Sequence, residues 1–135
     1  MPIYPMIIMS LIAGLLSTMN IWTISYNHIR FHLNDVYMAI LMTCWMVVLD
    51  GIYYTNTLHI ILGIFGVAIT IYLIRNQIFI NDGQFMKGMI PHHSMAILMA
   101  NKIKEKSTDK NIIDLANNII ESQNKEIEYM QKLGY

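Results

Sequence analysis

A single cysteine, Cys44, leaves no partner for an intrachain disulfide and no set of thiolates for a structural zinc site. Charge is scarce too: 13% of the 135 residues are charged, against roughly 25% in an average soluble domain. The scarcity is uneven. Residues 1–80 hold four charges (Arg30, Asp35, Asp50 and Arg75), and residues 81–135 hold the other fourteen. With nine charges of each sign, the net charge is zero, which excludes a nucleic-acid binder working through bulk positive charge. A hydrophobic content of 55% likewise excludes a disordered chain. The sequence contains no Glu-x-x-His, no phosphate-cradling glycine loop, no Ser-His-Asp grouping and no zincin motif. An enzyme is therefore not expected, and a di-iron oxidase least of all.

What the chain has in quantity is apolar length. A membrane-crossing helix takes about 20 residues, and three stretches qualify, at about 5–26, 36–54 and 58–74. The first lacks a basic leading region and an A-x-A-like cleavage site, so it reads as a retained span. Trp22, Tyr26, Tyr53 and Tyr54 fall near the expected ends, where aromatic rings favour the headgroup region. Three crossings put the 27–35 loop and the C-terminal part on one side, together with Arg30, Arg75 and Lys87. The opposite side has no Lys or Arg. The positive-inside rule then places the N-terminus outside and the C-terminal part in the cytoplasm.

The expected fold is all-α: a membrane domain over 1–76 with three transmembrane helices, then a helical hairpin over 82–135. Asn81 and Asp82 can cap a helix running to about Lys106, and Ser107-Thr108-Asp109 breaks it and caps a second. On that second helix Ile112, Ala116, Ile119, Gln123, Glu126, Met130 and Leu133 alternate at four and three residues, the period of a bundle seam. Gly134 ends it.

The chemistry concentrates in the first helix of the hairpin. At about 100° per residue, Met86, Met89, His93, Ala96 and Ala100 share a face, with His92 and Met99 along its flank. Pro91 cannot donate a hydrogen bond to the Lys87 carbonyl, and Gly88 lies in the same turn, so a kink is expected there. Thioethers and imidazoles without thiolates suit Cu(I) or Ag(I) rather than Mg²⁺, Ca²⁺ or structural zinc. Core filling is the simpler reading for any one methionine; for adjacent histidines flanked by methionines, spacing alone leaves packing and ligation level.

The pattern Met-x-x-Met-Ile-Pro-His-His-x-x-Ala-Ile (86–97), followed by Ile-x-x-x-Gln-x-x-Glu-Ile-x-x-Met (119–130), resembles the domain-of-unknown-function family 305. That family is ferritin-like and helical, has copper-binding members, and includes small multi-pass membrane types. The resemblance implies copper binding or handling at His92, His93, Met86 and Met89. It also has Gln123, Glu126 and Met130 facing the first helix. On physical grounds Glu126 can hold an imidazole tautomer while Gln123 closes a hydrogen-bond network, or both serve as polar registry devices in a bundle seam. Many family members carry two helical pairs, whereas this chain has one. A fifty-residue hairpin cannot enclose a core alone, so pairing with another copy into a ferritin-like four-helix bundle is expected, as a homodimer or higher homo-oligomer.

The second span carries a further signal. Met38, Met42 and Met46 repeat every four residues towards Asp50, a stripe that can pass a soft cation or simply fill a helix contact. It is similar in part to the three-span eukaryotic copper transporters, whose second span has Met-x-x-x-Met; their Gly-x-x-x-Gly is not reproduced, since Gly63 and Gly66 are three apart. His28 and His32, with Asp35 nearby, can form an i,i+4 metal site only if that loop is helical; a plain interfacial loop is the simpler reading. The expected partners are thus a lipid bilayer and further copies of the chain. The expected function is sequestration or hand-over of Cu(I), with a copper permease or a structural assembly protein as alternatives.

Overall fold

A computed structural model describes residues 2–135. Helices α1 (Ile3–Leu16), α2 (Leu33–Tyr53), α3 (Thr57–Arg75), α4 (Asp82–Lys106) and α5 (Lys110–Lys132) form the architecture, with no strand among the described residues. The chain divides into two compact units. One holds the residues up to Thr18 together with Leu33–Ile80, and the other holds Met19–His32 and Asn81–Tyr135.

The first unit is α1 to α3. Three helical stretches, Ile3–Trp22, Leu33–Tyr53 and Thr57–Arg75, are long and apolar enough to cross a membrane. Small and polar residues do the internal packing: α3 buries Gly63, Val67 and Thr70. Its bulky residues Leu62, Phe65 and Tyr72 are exposed. That inversion is how helices pack when the surrounding solvent is itself apolar. Contact is close at Gly14, where a Cβ would lie 2.7 Å from the Ala39 Cα, and at Gly63, where it would lie 2.8 Å from the Val48 nitrogen. The hydroxyl of Thr43 donates to the Ser10 Oγ at 3.2 Å, tying α2 to α1. The α2–α3 turn is short. Thr55 adopts a positive φ of 54°, and the Asn56 side-chain oxygen accepts the Leu58 and His59 N–H groups at 3.1 and 3.3 Å.

The second unit is the α4–α5 hairpin with a third layer that periodicity did not reveal. Asn81 accepts from the Gln84 N–H at 2.9 Å and starts α4, and Asp109 accepts from the Asn111 N–H at 2.8 Å and starts α5, as the capping residues suggest. Helix α4 continues through Pro91. Ile90, Ile97, Ile127 and Met130 form the core, with Met86, Met89, Ile120 and Tyr135 packed against it. The loop 19–32 lies on another face of α4. Ser94, fully buried, accepts the Ile24 N–H at 2.8 Å and pairs with the His28 Nδ1 at 2.9 Å. Arg30 donates to the Tyr135 carbonyl at 3.1 Å. Gly88 lets the buried ring of His32 lie against the helix, since a Cβ there would sit 3.4 Å from three of its ring atoms.

One expectation changes here. The first apolar stretch is not one helix to Tyr26: α1 ends at Leu16, and Trp22 and Tyr26 belong to short 3₁₀ turns of the loop (Met19–Trp22 and Tyr26–His28). The loop is pinned instead by Asn20, whose side chain exchanges two 2.9 Å hydrogen bonds with the backbone of Arg30. Residues 29–32 are not helical, as the loop reading has it, and His28 and His32 lie against different parts of α4, at Ser94 and Gly88.

This loop contact is pH-sensitive. Burial, followed by repulsion from Arg30, holds the His28 pKa below the usual 6.5. The folded state therefore disfavours the imidazolium. The contribution of neutral His28 is complete above the unfolded value and is lost as pH falls below it, through the lower folded value. Amide protection factors across 19–32, taken relative to intrinsic exchange at each pH, should fall as pH drops from about 7.5 to about 5, and His28→Gln should flatten that dependence.

Candidate metal centre

The hairpin core presents one buried imidazole to α5. His93 is 6% exposed, and its Nε2 lies 2.5 Å from the Glu126 Oε2. A carboxylate can only accept, so Nε2 carries the proton of the neutral ring and Nδ1 keeps its lone pair. That Nδ1 is buried and has no hydrogen-bond partner. A buried acceptor left without a partner costs about 1–3 kcal/mol, whereas metal-ligating histidines commonly have this arrangement, with one nitrogen on a carboxylate and the other on the ion.

The surroundings supply soft donors. Met89 stands one turn before His93 on α4, and Met86 two turns before it. Met86 and Met89 are half-buried against the cluster that contains Met130, itself 5% exposed. Among the described residues no group of three or more His, Cys, Asp or Glu side chains gathers for a metal ion. An ion held here would depend on one imidazole nitrogen and thioether sulfurs, a donor set that suits Cu(I) or Ag(I).

The remaining candidates separate. His92 is exposed, its ring centroid 5.9 Å from that of His93 with the planes at 62°. Met99 is 54% exposed and lines a groove further along the hairpin. Gln123 is half-buried, one turn before Glu126 on α5, and no hydrogen bond ties it to the imidazole. The seam is rotated relative to the four-three spacing. Ile127 is buried at 2%, while the Glu126 side chain is 56% exposed and reaches His93 from the rim.

In the first unit the methionine stripe divides. Met38 and Met46 are exposed on the outer surface, while Met42 turns towards α1, its Cε 3.1 Å from where a Gly14 Cβ would stand. Within one chain the three line no common path. Asp50 has a partner that spacing did not suggest: the His59 Nδ1, 2.7 Å from its Oδ2 across the α2–α3 turn. The available signal was a carboxylate and an imidazole flanking a short turn between two apolar helices.

Comparison with known proteins places both units in context. Residues 77–134 match the family described as a domain of unknown function, DUF305. A protein of Acanthamoeba polyphaga mimivirus, described as uncharacterized protein L153, is 46% identical over 133 residues, covering 95% of this chain and 88% of that one. That match extends well beyond the hairpin into the apolar helices. No solved structure matches the chain.

Proposed function

This chain belongs to the same family as the mimivirus protein and carries a DUF305 domain over residues 77–134, and on that premise we propose that it is a membrane-anchored protein that binds Cu(I) or Ag(I) in its hairpin and sequesters the ion or hands it on. One observation carries the reading: the buried Nδ1 of His93, left without a partner by the Glu126 clamp on the other nitrogen, on the helix that carries Met89 and Met86 one and two turns earlier. His93 and the thioethers are the ligands, and Glu126 fixes the ring tautomer. His92 and Met99 lie outside the set.

Helices α1 to α3 serve as the anchor. Three crossings require the 19–32 loop and the hairpin to share a side of the bilayer, and the bonds of Ile24, His28 and Arg30 to hairpin residues support that topology. Arg30 and Lys87 then favour the cytoplasmic side. The reading includes pairing of hairpins from two copies into a four-helix bundle, because one hairpin buries only a small cluster of large side chains.

The test is a competition titration of the detergent-solubilised full chain. Cu(I) and Ag(I) should be retained against a chromophoric chelator, while Mg²⁺ and Zn²⁺ should not compete. A preference for the harder ions, or no retention at all, would overturn the assignment.

A further inference from the structure

The half of the hairpin nearest its α4–α5 turn is built differently from the half that holds His93. Its buried hydrophobic residues are only Ala100 and Ala116, whereas Ile90, Ile97, Ile127 and Met130 all lie towards the other end. Between the helices runs an open apolar groove of about 560 Å³, lined by α4 and α5 residues alone. Met99, Ile103, Ile112 and Leu115 form its walls, from 42% to 60% exposed. Ala96, Ala100 and Ala116 form its floor.

From this we infer that the groove is the face through which two copies of the chain pair, hairpin against hairpin. The inference rests on the pairing proposed above and assigns it a surface. Shape is the first argument. A two-fold interface must be self-complementary, the same patch offering both the projections and the recesses. Here one face carries large projecting side chains, Met99 and Leu115, beside alanine recesses, the knobs and holes that packed helices require. Charge is the second. Of the two lysines at the rim, Lys102 is neutralised within its own chain, its Nζ 2.9 Å from both Glu105 carboxylate oxygens, which leaves Lys106 as the one cation there with no ion pair among the described residues. Residues 100–116 hold four lysines against three carboxylates, Glu105, Asp109 and Asp114. An acidic peptide or an anionic lipid headgroup would call for an uncompensated basic rim, whereas a near-neutral rim suits a like copy. Thioethers on the wall add adaptability, since methionine fills irregular gaps at little cost. Met99 thereby acquires a role in assembly, distinct from the ion held at His93.

The experiment uses the full chain in detergent and in lipid nanodiscs, with Cys44→Ser so that only introduced thiols react. Met99→Cys and Leu115→Cys should each form disulfide-linked dimers under mild oxidation. Asn117→Cys, exposed on the opposite face of α5, should not. Met99→Glu combined with Leu115→Glu should raise the dimer dissociation constant at least about tenfold, and Leu115→Ser should act in the same direction if the double variant loses its helical circular dichroism. Ag(I) affinity should remain at the wild-type level in these variants. A helical double variant that still dimerises would overturn the assignment of this face while leaving pairing in place. A groove that instead takes up an added fatty acid would likewise overturn the face, and a wild-type chain that stays monomeric at every concentration would overturn both the face and the pairing, with the metal titration unaffected.

Discussion

His93→Ala should weaken Cu(I) and Ag(I) binding by roughly 100-fold or more, because it removes the one nitrogen donor of a thioether-rich site. The series around it should be graded. Glu126→Gln keeps a side chain of the same shape but removes the charge that fixes the ring, and loss of such a partner typically lowers affinity about 10–100-fold. His92→Ala and Met99→Leu should leave affinity near that of the wild type, since the first side chain is exposed and the second faces the groove. The fold should respond in the opposite sense to the metal. His93→Leu replaces a buried acceptor that has no partner, and Glu126, already more than half exposed, rehydrates when released. The metal-free variant should therefore be as stable as the wild type or more so. Competition titration paired with thermal unfolding reads both effects. A destabilised His93→Leu with unchanged Ag(I) affinity would mark the imidazole as purely structural.

The second large effect belongs to the α2–α3 contact. In Gly63→Ala the new Cβ would stand 2.6 Å from the Val48 Cγ2, 2.8 Å from the Val48 nitrogen and 3.1 Å from the Cys44 carbonyl oxygen. Two of those atoms are backbone and can yield only if the helices separate. Overpacking of this kind costs about 1–3 kcal/mol, and Gly63→Leu should prevent the contact altogether. Gly66→Ala offers the control. Its Cβ would meet the Cys44 Sγ at 2.6 Å and otherwise only the Cys44 Cβ at 3.5 Å. Combining it with Cys44→Ala should restore wild-type stability, while Val48→Ala should not rescue Gly63→Ala. Unfolding of the detergent-solubilised chain, followed by circular dichroism, measures all five.

The two glycines also show where sequence reading succeeds and where it stops. Their spacing of three argued against a particular glycine motif, yet both face α2, because residues three apart share a helix face. The hairpin was legible almost to the residue, since Asn81, Asp109 and Gly134 carry local punctuation that needs no tertiary partner. The pairing of His93 with Glu126 follows the helical periodicity that sets both on facing positions. His92 and Met99 each sit about 100–120° round the helix from His93, and only the position of α5 decides which flank is covered. The loop was illegible for a different reason. The partner of Ile24 is Ser94, 70 residues away, and a serine inside an apolar helix gives no sign that it receives another backbone.

That distant partnership imposes an order on biogenesis. The ribosome delivers residues 19–32 long before their seat on α4 exists, and two further apolar helices must be synthesised in between. The Ile24 amide therefore gains its Ser94 partner only once the last third of the polypeptide has emerged. Were α1 to α3 to cross a bilayer, only chains threaded with both segments on one side could close that bond.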